Sequence, residues 1–93
     1  MRYDSAEWER IKRSIPVGTR VNGTVELRTS FGVFVNLGDG VSALLQVSRF
    51  AAAEMVPNAS DFSGYPSPGE QLSARVQSFN DLTHLITLTQ LGK

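Results

Sequence analysis

Apolar residues recur at spacings of three and four near the start of the chain and then switch to a spacing of two. Trp8, Ile11 and Ile15 share one helical face, Asp4 and Glu7 are placed as a capping box, and Pro16 is a stop signal. The spacing predicts a short amphipathic helix within residues 1–16, supported by the Glu9–Arg13 pair four residues apart. From Arg20, the residues Val21, Gly23, Val25 and Leu27 alternate with Arg20, Asn22, Thr24, Glu26 and Arg28, which predicts a half-buried strand with the first set inward. Gly23 within it marks a sharp bend or the close passage of another backbone. Phe31 to Leu37 reads as a second strand, Gly38-Asp39-Gly40 as a tight turn, and Val41 to Val47 as a third strand, together an antiparallel meander. The alternation then stops. Phe50, three alanines and Glu54-Met55 suit a helical turn or two, and Pro57 to Pro68 has the density of Pro, Gly, Ser and Asn expected of a loop. Pro68-Gly69 opens a fourth strand, with Leu72, Ala74 and Val76 alternating against Ser73, Arg75 and Gln77. After a turn at Asn80 to Thr83, Ile86 and Leu88 define one face of a fifth.

Five short strands with a helical or loop insertion between the third and fourth form the pattern of an all-β, five-stranded antiparallel Greek-key barrel, the OB-fold. An SH3-like barrel has the same strand count but joins that pair by shorter turns. The domain reading is a helix over residues 1–16 packed on a barrel over residues 17–93, one domain overall. The length of 93 residues supports a single core. Nine Lys and Arg against nine Asp and Glu give zero formal charge, so a nucleic-acid partner must be held by a local patch. The absence of cysteine removes disulfides, thiolate zinc sites and thiol nucleophiles, and the single His84 cannot build a multi-histidine cluster, so no metal or cofactor is expected. The apolar runs fall far short of the roughly 18 residues of a membrane span, and the charge-mixed N-terminus does not resemble a signal peptide. A cytoplasmic protein without a membrane partner is expected, in which the triplets at Asn22 and Asn58 carry no glycosylation meaning.

Phe31 and Phe34, either side of Gly32, stand out. If Val33 and Val35 face the core, Phe34 faces outward, and a bend at Ser30 and Gly32 lets Phe31 reach the same outer face. An outward ring in mid-strand serves as a stacking platform or a partner contact, unless the loop or the helix covers it.

The segments Gly18 to Val25, Phe31-Gly-Val-Phe-Val35, Gly40 to Ser48, Pro68-Gly-Glu, Ala74-Arg-Val76 and Ile86-Thr-Leu-Thr89 resemble the S1 RNA-binding domain family. The resemblance runs from about Val17 to Thr89, and the short chain is similar to stand-alone bacterial members of that family. It implies an OB barrel that binds single-stranded RNA with little sequence preference, through aromatics on the second strand. By position, the two family aromatics fall on Phe31 and Phe34. The usual histidine closing strand three is Gln46, which keeps hydrogen bonding but stacks poorly. The aspartate position falls on Asn80, beside Asp81. The arginine before the last strand falls on Leu85, with His84 beside it either solvated or taking over part of the arginine's role. Arg28 and Arg75, with Arg20, are expected on outward strand positions as a modest basic strip.

Two stacked bases at about 1–3 kcal/mol each, with two or three phosphate contacts giving a salt slope of about −1.5 to −2, imply weak binding, roughly micromolar to millimolar. The alternative is a protein-interaction barrel that has lost RNA binding, using the Phe pair or the loop residues Phe50, Met55, Phe62 and Tyr65, either alone or within a ribonucleoprotein complex. An enzyme is not expected: Ser48, His84, Asp39 and Asp81 match no catalytic spacing, and Gly38-Asp39-Gly40 opens no helix that would cradle phosphate.

Overall fold

A computed structural model describes residues 3–50, 61, 62 and 64–91. Helix α1 spans Ser5–Ser14. Asp4 caps it by accepting the Glu7 N–H at 2.8 Å, while Lys12 and Arg13 in the last turn complement the helix dipole. Tyr3, just before the cap, stacks on Trp8 with ring centroids 5.9 Å apart, which is a hydrophobic staple fixing the chain's entry into the helix. Trp8 and Ile11 are buried and Ile15 packs beside them, as the apolar spacing requires.

Five strands follow, β1 (Arg20–Thr29), β2 (Gly32–Gly38), β3 (Val41–Gln46), β4 (Gln71–Asn80) and β5 (Leu85–Thr89), with a 3₁₀ turn at Val47–Arg49. They close into a barrel in the order β1-β2-β3-β5-β4. The first three form the expected meander, and every ladder is antiparallel except β3 with β5, which run parallel. Val25, Val33, Val35, Ala43, Leu45, Ala74, Val76, Ile86 and Leu88 fill the interior. Those residues alternate along their strands, so the period-two pattern identifies the core faithfully from β2 onward.

Strand β1 departs from the simple alternation. Its pairing with β2 shifts between Val25 and Leu27, so that Glu26 is the extra residue of a bulge. Leu27 therefore faces outward at 56% exposure instead of entering the core, and Arg28 takes the opposite side of the strand. Gly23 is a close approach: a Cβ there would meet the Asn36 carbonyl oxygen at 2.7 Å and the Val35 side chain.

The two barrel ends are closed by different pieces of chain. At one end α1 lies beside Val21, Leu37 and Val41. At the other, Phe50 and Tyr65 pack edge to face at 5.2 Å and both belong to the core, with Phe62 against Tyr65. These are residues of the connection between β3 and β4. Its expected helical turns, and Met55, lie outside the described residues apart from Phe50.

Candidate nucleic-acid interface

The outer face of β1, β2, β3 and β5 carries rows of side chains set by strand register. One row reads Leu27, Phe34, Leu44 and Thr87. A second, one pleat along, reads Thr29, Gly32 and Gln46. Phe34 is half-buried between leucines, whereas Phe31 in the β1–β2 turn is 53% exposed. Their rings meet edge to face, with centroids 6.3 Å apart and planes at 87°. Such a pair is favourable in itself and leaves one flat face of an exposed ring open to a ligand.

Backbone geometry holds Phe31 in place. The Thr29 hydroxyl donates to the Gly32 carbonyl at 3.0 Å and accepts the Phe31 N–H, and the Phe31 carbonyl accepts the Val47 N–H at 2.9 Å. From the far side of the turn, the Tyr65 hydroxyl donates to the Ser30 carbonyl at 3.0 Å. Gly32 has φ of +154°, and a Cβ on it would collide with the Leu45 carbonyl oxygen. Only glycine lets β2 press against β3 here, which brings Phe31 and Gln46 to the same surface.

A shallow pocket of about 250 Å³ opens beside Phe34, walled by Leu27, Leu85, Tyr3 and His84, with Glu26 and Ser42 as polar groups. The Ser42 hydroxyl donates to the Glu26 carboxylate at 3.4 Å, and the Ser42 N–H donates to the Tyr3 hydroxyl at 3.0 Å. Tyr3 and His84 join this rim because α1 clamps the β4–β5 turn. Trp8 stacks on His84 at 4.5 Å, and its indole N–H donates to Asp81 at 2.8 Å. Lys12 donates to the same carboxylate oxygen at 2.8 Å. The Lys12 hydrogen bond, followed by that of Trp8, holds the Asp81 carboxyl below the usual carboxylate range, and Asp81 in turn raises Lys12.

The comparisons with known proteins bear on this geometry. No family model matches the chain. Over 48 residues, 52% of its length, the chain is 40% identical to small ribosomal subunit protein bS1 of Rickettsia conorii. Over 76 residues, 82% of its length, it is 32% identical to the S1 RNA-binding domain-containing protein 1 of Pongo abelii. The fold superposes on Mycoplasma genitalium RNase R in complex with ribose methylated single-stranded RNA with a TM-score of 0.70, at 16% identity over 91% of this chain and 14% of that one. The barrel is an S1 domain. The chain spans 8% of the length of each of these two curated relatives.

Within the S1 domain, the predicted site residues divide. Phe31, Phe34 and Gln46 share one face. Asn80, paired with Leu85 at the end of β4, spends its side-chain oxygen on the turn, accepting from the Leu82 and Thr83 N–H groups at 2.9 and 3.2 Å. His84 is not a free, solvated ring: it stacks on Trp8, and its Nδ1 accepts the Tyr3 N–H at 3.0 Å, at the rim of the Phe34 pocket. Arg28 leaves the expected basic strip. The bulge at Glu26 turns it to the other side of β1, where its guanidinium lies 4.9 Å from the centre of the Phe62 ring. Arg75 stays outward but on β4, across from Arg20.

Three contributors escaped the sequence reading. Leu27 reaches the face through the bulge, which alternation alone conceals, and Glu26, expected outward, was not singled out as lining the Phe34 pocket. Tyr3 was legible in principle, since an aromatic immediately before an Asp cap and five residues before a Trp is the staple pattern.

Proposed function

We propose that this S1 domain is a binding module for single-stranded RNA, with bases stacking on Phe31 and packing beside Phe34 and Leu27. The observation that carries the reading is the exposed Phe31 ring, held edge to face against Phe34 by a turn whose backbone is fixed on three sides. Stacking accepts any base, so binding is largely indifferent to sequence. Gln46 supplies a donor and an acceptor to a base edge on the same face. Affinity is weak, roughly micromolar to millimolar, because one open ring and one hydrogen-bonding amide offset little more than the cost of ordering a flexible strand. The names of the relatives support the class of partner: one is a ribosomal protein and another an RNA-binding-domain protein. We place the module in the cytoplasm, in or near a ribonucleoprotein complex, with a binding and not a catalytic role.

A contact with another protein remains the second reading, because Leu27 and Phe31, each a neighbour of Phe34, both expose apolar surface. The loop half of that reading is weaker, since Phe50 and Tyr65 are buried in the core. An NMR titration of the labelled chain with a short single-stranded RNA, at low and moderate salt, tests the proposal. Shifts gathered at Leu27, Phe31, Phe34 and Gln46 are expected. No shift at millimolar RNA would overturn it and turn attention to a protein ligand of the same patch.

A further inference from the structure

Among the described residues, the pocket beside Phe34 is lined by Glu26 and by no arginine or lysine. Arg20 and Arg75 instead face each other directly across β1 and β4. Like charges in that position repel, by an amount comparable to the attraction of an opposite pair. Among the described residues, the polar groups lining their cleft are the two arginines, Ser73, Thr89 and Gln90, with no carboxylate among them to relieve the repulsion. Arg20 Nη1 donates to the Ser73 hydroxyl at a long 3.5 Å, and Gln90 donates to the Ser73 carbonyl at 3.2 Å. The cleft is open, about 200 Å³ in volume, and lined mainly by polar atoms. Arg49 is tied to the same region by its carbonyl, which accepts the Gln90 N–H at 2.8 Å, and with the Gln77 amide turned so that its oxygen faces the guanidinium, that oxygen accepts from Arg49 at 3.2 Å.

Strand register connects this cleft to the aromatic face. Arg75 pairs with Thr89 on β5, and the parallel β3–β5 register pairs Leu44 with Thr87 and Leu45 with Leu88, so that one residue further along Gln46 and Thr89 follow on neighbouring strands. Gln46 pairs in turn with Gly32, next to Phe31. One row of outward residues thus runs from Gly32 through Gln46 and Thr89 to Arg75 and Arg20. With adjacent strands about 4.8 Å apart, Arg75 lies about 10 Å around the barrel from Gln46.

We propose that Arg20 and Arg75 form a phosphate site for the backbone of an RNA strand that leaves the Phe31 face and crosses β5 along this row. Two guanidiniums facing one cleft suit a phosphodiester, whose oxygens accept forked N–H pairs and whose charge cancels the repulsion. This inference rests on the RNA reading above and extends it. It makes affinity depend on strand length: a strand of about 4 nucleotides occupies the aromatic face alone, and one of about 12 also reaches the arginines.

The test compares the unchanged chain with the Arg20→Gln, Arg75→Gln double variant, using oligouridylates of those two lengths over a series of salt concentrations. The variant should fold, with a melting temperature equal to or above that of the unchanged chain, because a repulsive pair has been removed. It should bind the short strand unchanged and lose about tenfold on the long one, and its salt slope on the long strand should fall by about 1.4, or 0.7 for each phosphate contact. A variant that binds the long strand with unchanged affinity and slope overturns the phosphate site and leaves the aromatic site intact. An unchanged chain that binds neither strand overturns the RNA reading and the track with it.

Discussion

Phe31 and Phe34 offer a way to separate stacking from packing, because the structure gives them different shares of each. Phe31 is 53% exposed and sits in a turn, so replacing it by Ala removes only about half of the 1.5–3 kcal/mol that a fully buried Phe contributes, roughly 1 kcal/mol of stability. Phe34 is half-buried between Leu27 and Leu44, and its removal also opens a gap in that row, for a cost of about 2 kcal/mol. For binding the order reverses. The open ring is Phe31, and the loss of one stacked base is worth about 1–3 kcal/mol, a weakening of about 5- to 150-fold. Phe34 acts partly by orienting Phe31, so its variant should lose less affinity for each kcal/mol of stability lost. Fluorescence anisotropy with a labelled oligouridylate at fixed salt, paired with thermal melts of Phe31→Ala, Phe34→Ala and Phe31→Trp, reads both quantities. Phe31→Trp should retain or improve affinity. A Phe31→Ala chain that melts near the unchanged protein and binds RNA within twofold of it would refute the stacking platform.

Other consequences can be measured with the same chain. Gly32→Ala should destabilise the barrel by about 3 kcal/mol, read as a lower denaturant midpoint, because the new methyl meets the Leu45 backbone, which cannot rotate away. The Asp81 carboxylate, held below its ordinary range chiefly by Lys12 and then by Trp8, contributes stability above its unfolded-state value and loses that contribution as the pH falls through its folded-state value. Asp81→Asn should therefore lower the melting temperature at neutral pH, and the difference from the unchanged chain should vanish in acid below the usual carboxylate range. Gln46→His restores a ring beside Phe31 and should tighten RNA binding about fivefold in the anisotropy assay, a gain at the low end of one stacking contact.

Much of the barrel was legible in the sequence because burial imposes a period of two, which the buried residues of β4 and β5 keep, while β2 and β3 add Gly32 and Leu44 as buried residues between the core positions. The helix was legible for the same kind of reason, with Asp4, Trp8 and Ile11 acting as its pattern predicts. The failures sit where a local event resets the period. A single extra residue at Glu26 moves Leu27 from core to surface and Arg28 from the aromatic side to Phe62, and no composition signal such as a glycine marks the position. His84 shows a second kind of limit. In sequence it is a lone histidine in a turn; in the structure, with φ of +57°, it is a partner of Tyr3 and Trp8 from a segment about 80 residues away. Contacts of that sequence separation depend on where the helix docks, which the pattern of α1 alone does not specify.

The docking of α1 also bears on how a neutral chain can bind an anionic strand at all. With zero formal charge there is no general electrostatic attraction, so affinity depends on local contacts that need little ordering. Both turns flanking the aromatic face are fastened from outside the barrel walls. Tyr65 and Val47 hold the β1–β2 turn, and Trp8 and Lys12 hold the β4–β5 turn through Asp81. Each fastening limits the conformational freedom that binding would otherwise have to remove, the same economy that preorganisation gives any binding site. The N-terminal helix is in this sense part of the interface: it places Tyr3 and His84 on the rim of the Phe34 pocket and fixes the turn that carries Asn80 and Leu85. Among the described residues, Phe31 and the Arg20–Arg75 pair lie on different strands of one small barrel, and on the proposed path a strand crosses β5 to reach both.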